Sequence, residues 1–479
     1  AIQVAARIHQ ALGVRVALNK LFEAPRVRDL ARLVDAGATV DFRAVVPVAD
    51  QPDYPLSHAQ RRMWLEDRLA GDARYNMAGA FKLDASIDAT ALRRALARLI
   101  ARHESLRTVF VAPDGEPRQR ILAEIDVPLT ALDLASEPNA AARLRACADR
   151  EVAHRFQLEQ APLFRVTTVS LPEGRSAFVL VMHHIVGDGW SLRVFYRELL
   201  ALYEAALAGS DDPLPVPALQ YRDYAVWQDG RDRGADARFW REQLAGLSDP
   251  LPLPRDHVGP DRPRGRGDRR TIALDSARTT GLRALAARHG TTASTVLFAL
   301  FKLFLFKLTR QSDLCVGMVV ANRGQPELET LIGVFVNLLP IRTRIADDWE
   351  FDQLVGAVAE RCTAALDHQD HPYDRMLHDL DRAGVGDGRG LINVVYAYQE
   401  ETPLALHGSG TPEQSSGPGR EIEVMDLTFP YAKFELSLLA VDRGNALDLT
   451  LEFDADLHTG DRIEGYLRAL DRFAAQVAT

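Results

Sequence analysis

The chain has 479 residues, which is enough for two to four compact units at roughly 100–200 residues each. Its residues are 47% hydrophobic and 26% charged, proportions that are ordinary for a globular protein and that exclude a long disordered chain. The formal net charge of −9 and the lack of an apolar run of ~18–20 residues argue against nucleic acid and membrane as partners.

The cysteines stand far apart along the chain, at Cys147, Cys315 and Cys362. This spacing supports neither a paired disulfide framework nor a CxxC metal clip, so we expect reduced, structural cysteines. The N-terminus has no charged-then-apolar secretion pattern. The cytoplasm is therefore the expected compartment.

The first 37 residues have a helical pattern. Apolar residues recur at helical spacing from Ile2 to Ile8 and again from Leu30 to Val34, and Pro25 marks a break between them. Because so short a segment buries too little surface to fold alone, we interpret residues 1–37 as part of a larger helical unit. Residues 38–52 are then a predicted linker.

Helix and strand patterns alternate from residue 53 onward, which predicts an α/β fold. The clearest predicted helices are at 89–103, 192–207 and 294–308. The clearest predicted strands are at 177–184, 314–320, 391–398 and 447–453. The Pro- and Gly-rich segment 250–267 is expected to run over the surface between two lobes, and the Gly- and Ser-rich segment 407–419 is expected to be a mobile loop.

The candidate active residues lie in segment 182–191 (MHHIVGDGWS), where an apolar strand ends and a helical pattern begins. Loops after strands commonly hold active groups. Since successive side chains of a strand point to opposite faces, at most one of His183 and His184 is expected to face a given cavity. Gly187 and Gly189 flank Asp188 and permit a tight turn, which would direct its carboxylate to the strand end or to a distant arginine.

An imidazole in this position suits proton transfer or hydrogen bonding to a reacting amine, because its ordinary pKa of ~6.5 lies near working pH. One alternative is a packed histidine pair beside a turn-forming aspartate. A zinc site is disfavoured, since adjacent histidines splay apart and no third ligand follows at helical spacing. The chain also lacks a GxSxG elbow, a GxxxxGKS/T loop and a GxGxxG fingerprint, so an acyl-transfer enzyme without a nucleophile stays open.

Several separated segments share one order with the motifs of a known family. They are 57–64 (SHAQRRMW), 102–110 (RHESLRTVF), 183–189 (HHIVGDG), 221–227 (YRDYAVW), 332–337 (IGVFVN) continuing to Arg342, and 368–373 (HQDHPY). Over about residues 45–479 the chain resembles the condensation-domain family of non-ribosomal peptide synthetases. The seventh motif, at 387–390 (DGRG), departs from the usual Arg- and Asn-containing pattern, which leaves the geometry of that loop open.

The resemblance implies an α/β fold of two chloramphenicol-acetyltransferase-like lobes, which form a V-shaped pseudo-dimer with a tunnel between them. The lobes would comprise residues 53–220 and 221–479, and the histidine motif would lie in the middle of the tunnel. A monomer within a larger synthetase is expected.

The resemblance also implies roles for individual residues. His184 would serve the reaction as a base or as a positioning group, while Asp188 would hold the loop through an ion pair with Arg342 or Arg62. The candidate catalytic residues are His183, His184, Asp188 and Gly189, and the candidate supporting residues are Arg62, Trp190, Asn337 and Arg342.

The N-terminal segment resembles the second half of a peptidyl carrier domain, after its phosphopantetheine attachment site. The attachment serine would lie upstream of Ala1, so no cofactor is expected to bind this chain directly. The phosphopantetheine arms would be delivered by an upstream donor carrier domain and a downstream acceptor carrier domain, beside an adenylation domain.

The resemblance implies peptide-bond formation, in which an acceptor amine attacks a donor thioester. A carrier segment directly before the condensation unit, and Trp190 after the Asp-Gly pair, favour an L-donor, L-acceptor subtype. Two alternatives stay open: a non-catalytic platform of the same fold that recruits carriers, and an acyltransferase acting on a free small amine or alcohol.

Overall fold

A computed structural model of the chain describes residues 2–14, 16, 20–21, 24, 26–37, 44–231, 234–247, 249–258, 265–382, 391–400 and 422–478. The predicted loop at 407–419 and the seventh motif at 387–390 lie outside these residues, as does part of the predicted connection at 250–267. The described ends of that connection form no helix, and a strand begins at its last residue, Gly267.

Several helices begin where a polar side chain caps the first turn of an apolar stripe. Before the third helix, for example, Ser57 and Gln60 form a reciprocal capping box. In chain order the described helices are α1 Ile2–Leu12, α2 Val27–Asp35, α3 His58–Ala70, α4 Ala89–Arg102, α5 Ala140–Val152, α6 Gly189–Ala208, α7 Tyr221–Asp229, α8 Gly234–Leu244, α9 Ser276–Arg288, α10 Ala293–Thr309, α11 Phe351–Asp367, α12 Tyr373–Arg382 and α13 Gly460–Val477.

The strands coincide with the alternating or continuous apolar runs of the sequence. In chain order the described strands are β1 Tyr54–Pro55, β2 Asn76–Leu83, β3 Thr108–Val111, β4 Arg118–Ile121, β5 Leu129–Asp133, β6 Phe164–Ser170, β7 Ser176–His183, β8 Gly267–Leu274, β9 Asp313–Val320, β10 Asn337–Arg344, β11 Val394–Glu400, β12 Ile422–Val424, β13 Leu436–Asp442 and β14 Leu447–Asp454. The predicted helices and strands are therefore confirmed to within a few residues at their ends.

The first lobe is built on a five-stranded sheet in the order β12-β2-β7-β6-β5. Its central strand β7 is buried along its whole length, as the continuous apolar run predicted. Strand β2 pairs antiparallel with β7, which sets Asn76 opposite His183. The edge strand β12 comes from the second half of the sequence, where Val424 pairs with Phe81. The two halves of the chain are therefore joined by main-chain hydrogen bonds.

The second lobe is built on a six-stranded sheet in the order β10-β9-β11-β13-β14-β8. Helix α10 packs into its core and buries most of its apolar side chains there. Among the described residues no single helix is both long and apolar enough to cross a bilayer, whereas the pair α9 and α10, bent by 104°, meets that test by length and composition.

Parts of the second half of the chain pack into the hydrophobic core of the first lobe. The loop between β9 and β10 contributes Leu328, Leu331 and Phe335 to that core. Helix α7 contributes Tyr221 and Tyr224 to the same core. The lobe boundary between residues 220 and 221 stays a prediction, and the helix that follows it is shared structurally with the first lobe.

Candidate active site

The histidine motif lies at the junction of strand β7 and helix α6. The strand ends at His183, a short 3-10 turn covers His184–Val186, and Asp188 is the N-cap residue of α6. The Asp188 Oδ1 atom accepts hydrogen bonds from the Ser191 backbone N–H and from Ser191 Oγ, both at 2.8 Å. The aspartate therefore fixes the start of the helix and the end of the preceding turn.

The two glycines of the motif leave room for neighbouring groups. Neither is needed for an unusual backbone conformation. Gly187 is extended, with φ of −167°. A Cβ atom on Gly187 would lie 2.7 Å from Met182 Sδ, so a side chain there would press on the first core. A Cβ atom on Gly189 would meet nothing closer than Gln399 Oε1 at 4.0 Å. Since Gln399 belongs to β11 of the second sheet and both residues are exposed, Gly189 faces the second lobe across a solvent-exposed gap.

The partner of Asp188 is Arg323. Its Nη2 donates to Asp188 Oδ1 at 3.0 Å, and both side chains are almost fully buried. The second carboxylate oxygen accepts from the Phe335 backbone N–H at 3.0 Å. The predicted partners Arg342 and Arg62 are both wrong, because each lies elsewhere and contacts a different acidic residue.

Arg342 lies on β10 and forms a bidentate pair with Asp313 of the neighbouring strand β9, with an Nη2–Oδ2 distance of 2.7 Å. Arg62 lies on α3, where its Nε is 3.8 Å from Glu66 Oε1 and its guanidinium lies over the Tyr373 ring. Arg342 therefore supports the second sheet, and Arg62 lies where the two lobes meet.

Asp188 is ionised in this environment. Burial alone would raise its pKa, but Arg323 and the N–H groups of Phe335 and Ser191 lower the pKa below its ordinary value. Arg323 is held in turn, since its Nη1 donates to the carbonyl oxygens of Leu328 and Leu331. The ion pair therefore ties the histidine loop of the first lobe to the loop between β9 and β10.

Gly333 belongs to the same contact. Ser191 Oγ lies 2.7 Å from the Gly333 carbonyl oxygen and 2.8 Å from Asp188 Oδ1, so these two acceptors share its one hydroxyl hydrogen, and Ser191 Oγ accepts from the Gly333 N–H at 3.1 Å. A Cβ atom on Gly333 would lie 1.9 Å from the Tyr221 ring, so only glycine fits.

We expect Gly333→Ala to destabilise the domain by about 1–3 kcal/mol or more, because the methyl group must displace the buried Tyr221 ring. Gly324→Ala is the matched control in the same loop, since a Cβ atom there would meet nothing within 4 Å. Denaturant unfolding measures both changes. Equal stability of the two variants would contradict this account of Gly333.

His183 is a buried packing residue. Its Nδ1 accepts a hydrogen bond from the Ile185 N–H at 3.1 Å, and its ring contacts Tyr75 and Phe156. Burial, with nearby His184 and Lys433, lowers the pKa of His183 to about 3, so the ring is neutral. No group of three or more His, Cys, Asp or Glu side chains that could hold a metal ion occurs in the described part of the chain.

His184 is half-buried and lies beside both lobes. Its backbone N–H donates to the Tyr75 carbonyl at 2.7 Å. Burial and then Lys433 lower the pKa of His184 below its ordinary value, against opposing contributions from Asp188 and the residue's own backbone carbonyl. The buried Nδ1 atom of His184 has no hydrogen-bond partner among the described residues. In the neutral ring one nitrogen carries a hydrogen and the other can accept a proton.

The two other predicted supporting residues hold neighbouring loops. Trp190 Nε1 donates to the Glu329 carbonyl at 2.9 Å. Asn337 Nδ2 donates to the carbonyl oxygens of Gln369 and His371, both at 2.8 Å, and its Oδ1 accepts from the Tyr373 N–H. Both side chains therefore position loops of the second half and carry no free reactive group.

Sequence reasoning missed two residues of this region, Arg323 and Lys433. Arg323 follows the end of the buried strand β9 by three positions, a placement typical of functional loop residues, so the rule that selected the histidine motif would also have selected it. Lys433 lies in the loop before strand β13, three residues after Pro430, and does not directly follow a strand, so the same rule would not have selected it.

Comparison with known proteins agrees with this geometry. The sequence profile of the family described as "Condensation domain" matches residues 50–479. The chain belongs to the condensation-domain family. It is 33% identical over 472 residues to malpinin synthetase of Mortierella alpina and 36% identical over 456 residues to chondramide synthase cmdD of Chondromyces crocatus.

These matches cover 96% and 93% of this chain but only 6% and 11% of the two relatives. The phosphinothricin tripeptide synthetase PhsC of Streptomyces viridochromogenes is 35% identical, with 89% of this chain and 39% of the relative covered. The chain therefore spans a small part of the synthetases that it resembles.

Solved structures show the same fold. The X-domain from teicoplanin biosynthesis is 26% identical and superimposes with a TM-score of 0.79, covering 91% of this chain and 97% of that one. The first condensation domain of the calcium-dependent antibiotic synthetase is 21% identical, with a TM-score of 0.73 and coverage of 89% and 97%. The predicted α/β fold of two chloramphenicol-acetyltransferase-like lobes is confirmed.

Proposed function

We propose that this condensation domain forms a peptide bond between two carrier-bound substrates, with His184 as the residue that serves the attacking amine. The observation that carries the proposal is a half-buried, neutral histidine placed beside both lobes and backed by the buried Asp188–Arg323 pair. A neutral imidazole can accept a proton or a hydrogen bond from an amine.

The proposed reaction needs no residue of the chain to become acylated. The amine nitrogen of the acceptor attacks the carbonyl carbon of the donor thioester, and the carbonyl electron pair moves to oxygen. One amine proton passes to His184 or to water. The tetrahedral intermediate then collapses, the C–S bond breaks, and the thiolate takes up a proton, so that one amide and one thiol replace one amine and one thioester.

The substrates would arrive on the phosphopantetheine arms of an upstream donor carrier and a downstream acceptor carrier. Residues 1–37 are proposed to be the second half of a carrier domain, and Gln10 of α1 donates a hydrogen bond to Glu327 in the loop that holds Arg323. An adenylation domain is the proposed neighbour of such carriers. An L-donor, L-acceptor subtype is proposed from Trp190 and from that carrier segment.

The test is peptide formation with separately loaded donor and acceptor carriers. We expect the dipeptidyl or longer product to be attached to the acceptor carrier, as mass spectrometry of the intact carrier would detect. Product released onto a free amine or alcohol would favour the small-acceptor alternative. Donor carriers loaded with the D- and L-forms of one amino acid test the subtype.

A carrier-recruiting platform without catalysis is the second candidate. The observation in its favour is the similarity to the X-domain from teicoplanin biosynthesis, which has also been solved in complex with OxyB. Intact His184 and Asp188 favour the catalytic proposal. Carrier binding without product formation by the unmodified chain would favour the platform.

The gap at Gly189 gives a prediction about substrate passage. We expect Gly189→Leu to lower kcat/KM for peptide formation by about 10²-fold, because the side chain would enter the gap toward Gln399 and displace the substrate arms. Gly356→Leu, at an open position on α11, is the matched control and should keep the original rate. A fully active Gly189→Leu enzyme with unchanged folding would show that the arms pass elsewhere.

A further inference from the structure

Lys433 enters the reaction region from the second lobe. It lies just before strand β13, in a segment fixed by main-chain hydrogen bonds from Ala432 N–H to the Gly265 carbonyl at 2.7 Å and from Gly267 N–H to the Pro430 carbonyl at 2.9 Å. Two residues later, Glu435 is buried and forms a bidentate pair with Arg255. The base of the lysine is therefore held rigidly.

The ammonium end of Lys433 lies against the first lobe. Its Nζ is 5.7 Å from the centroid of the Tyr75 ring, which is a cation–π distance. The same Tyr75 ring is 6.1 Å from the His183 ring and 6.5 Å from the His184 ring, and its backbone carbonyl accepts the His184 N–H. Lys433 and His184 are thus contributed by different lobes and contact one common residue.

The charges around Lys433 come from both lobes. Burial and Arg62 lower the pKa of Lys433 below its ordinary value, whereas Glu452 and Glu66 oppose that shift. The titratable and charged groups that face the ammonium or its neighbouring histidines are Arg62, Glu66 and Asp67 of α3, Tyr75 before β2, His183 at the end of β7, His184 after it, Asp188, and Glu452 of β14. The acidic groups and the Tyr75 ring favour the charged form of the lysine against the effect of burial.

A positive charge in this position acts on every basic group beside it. Lys433 disfavours the protonated forms of His183 and His184. An amine bound at His184 would feel the same repulsion when it carries a proton, because a nearby like charge always disfavours the charged form. The free α-amine has a pKa of ~8, so at neutral pH most of it would otherwise be protonated and unable to attack.

We propose that the Lys433 ammonium group is the charge that holds both the attacking amine and the His184 ring in their neutral, reactive forms. This inference rests on the proposed function for the amine, whereas its effect on His184 is independent of it. Lys433 is a positioning and electrostatic residue in this proposal and forms no covalent bond.

The test compares Lys433→Met, which removes the charge at similar length, with Lys433→Arg, which keeps it. Lys307→Met is the matched control, since Lys307 is an exposed lysine that also lies over an aromatic ring, that of Phe306. Peptide formation is measured from pH 6 to 10 with loaded carriers. Thermal unfolding of each variant checks that the fold is kept.

We expect the rate of Lys433→Met to rise with pH around a higher midpoint than that of the original chain. The loss at pH 7 is expected to be about tenfold for each unit by which the midpoint moves, and to vanish above pH 9. Lys433→Arg and Lys307→Met should keep the original profile. The proposal would be overturned if the pH profile of Lys433→Met kept the original midpoint at a lower rate. It would also be overturned if Lys433→Arg lost as much activity as Lys433→Met.

A second measurement separates this proposal from the proposed function. NMR titration of the labelled His184 ring should show its pKa rising toward ~6.5 in Lys433→Met, whether or not the chain makes peptide. If the unmodified chain formed no peptide, the proposed function would fail, and this titration alone would decide the effect of Lys433 on His184. An unchanged His184 titration would refute that effect.

Discussion

Replacing Asp188 with asparagine is expected to destabilise the domain by about 3–5 kcal/mol, because the substitution leaves the Arg323 guanidinium buried without a counter-charge. The contact between the lobes should be weakened most, since Arg323 also donates hydrogen bonds to the carbonyl oxygens of Leu328 and Leu331. Activity should fall as the histidine loop loosens. Denaturant unfolding measures the free energy of unfolding, and hydrogen exchange of residues 184–191 measures how far the loop has loosened.

The matched control is Asp313→Asn. Asp313 also pairs with an arginine, Arg342, but its side chain is 30% exposed, so its loss should cost about 1 kcal/mol or less. The double variant Asp188→Asn with Arg323→Met should be less destabilised than the sum of its single changes, because it leaves no unpaired charge. If Asp188→Asn kept full stability and an unchanged loop while activity vanished, a direct chemical role for Asp188 would be the better account.

Local sequence patterns were sufficient to predict the elements that position the site. The apolar run of β7 ends at the histidines, and the aspartate between two glycines starts α6, so strand, turn and helix were all visible in one segment. The predicted reach of Asp188 to a distant arginine is confirmed by its pair with Arg323, but Gly187 is extended and is required by the neighbouring Met182 side chain and not by a tight turn. Such crowding depends on tertiary packing, which periodicity does not report.

The partner of Asp188 could not be obtained in the same way. Arg323 is 135 positions away along the chain, and the chain has many arginines on either side of it. Arg342 was a reasonable candidate by motif, yet its position on β10 directs it to Asp313 on the adjacent strand. Pairing across two lobes is set by how the β9–β10 loop packs into the first core, and that packing has no local signature.

Replacing His184 with alanine is expected to lower the rate of peptide formation by about 10²–10⁴-fold if the ring transfers a proton, and by less if it only orients the amine. His154→Ala is the matched control, since His154 is also half-buried and its ring packs on Phe156. The rate is measured under single turnover with loaded carriers, so that carrier release does not hide the chemical step.

The pH profile then distinguishes the two roles of His184. Because its pKa lies below the ordinary value of ~6.5, the ring is already neutral from below pH 6.5 upward, and its ability to accept a proton is lost only as the pH falls through that lowered pKa. The rate of the original chain should therefore rise as the acceptor ammonium group loses its proton. The pH profile should have no separate step near pH 6.5. High pH should rescue His184→Ala if the ring is a base, because hydroxide and the neutral amine replace it, and should not rescue it if the ring orients the amine.

A covalent acyl group trapped on this chain by donor carrier alone would refute direct attack, since neither role of His184 requires an acylated residue.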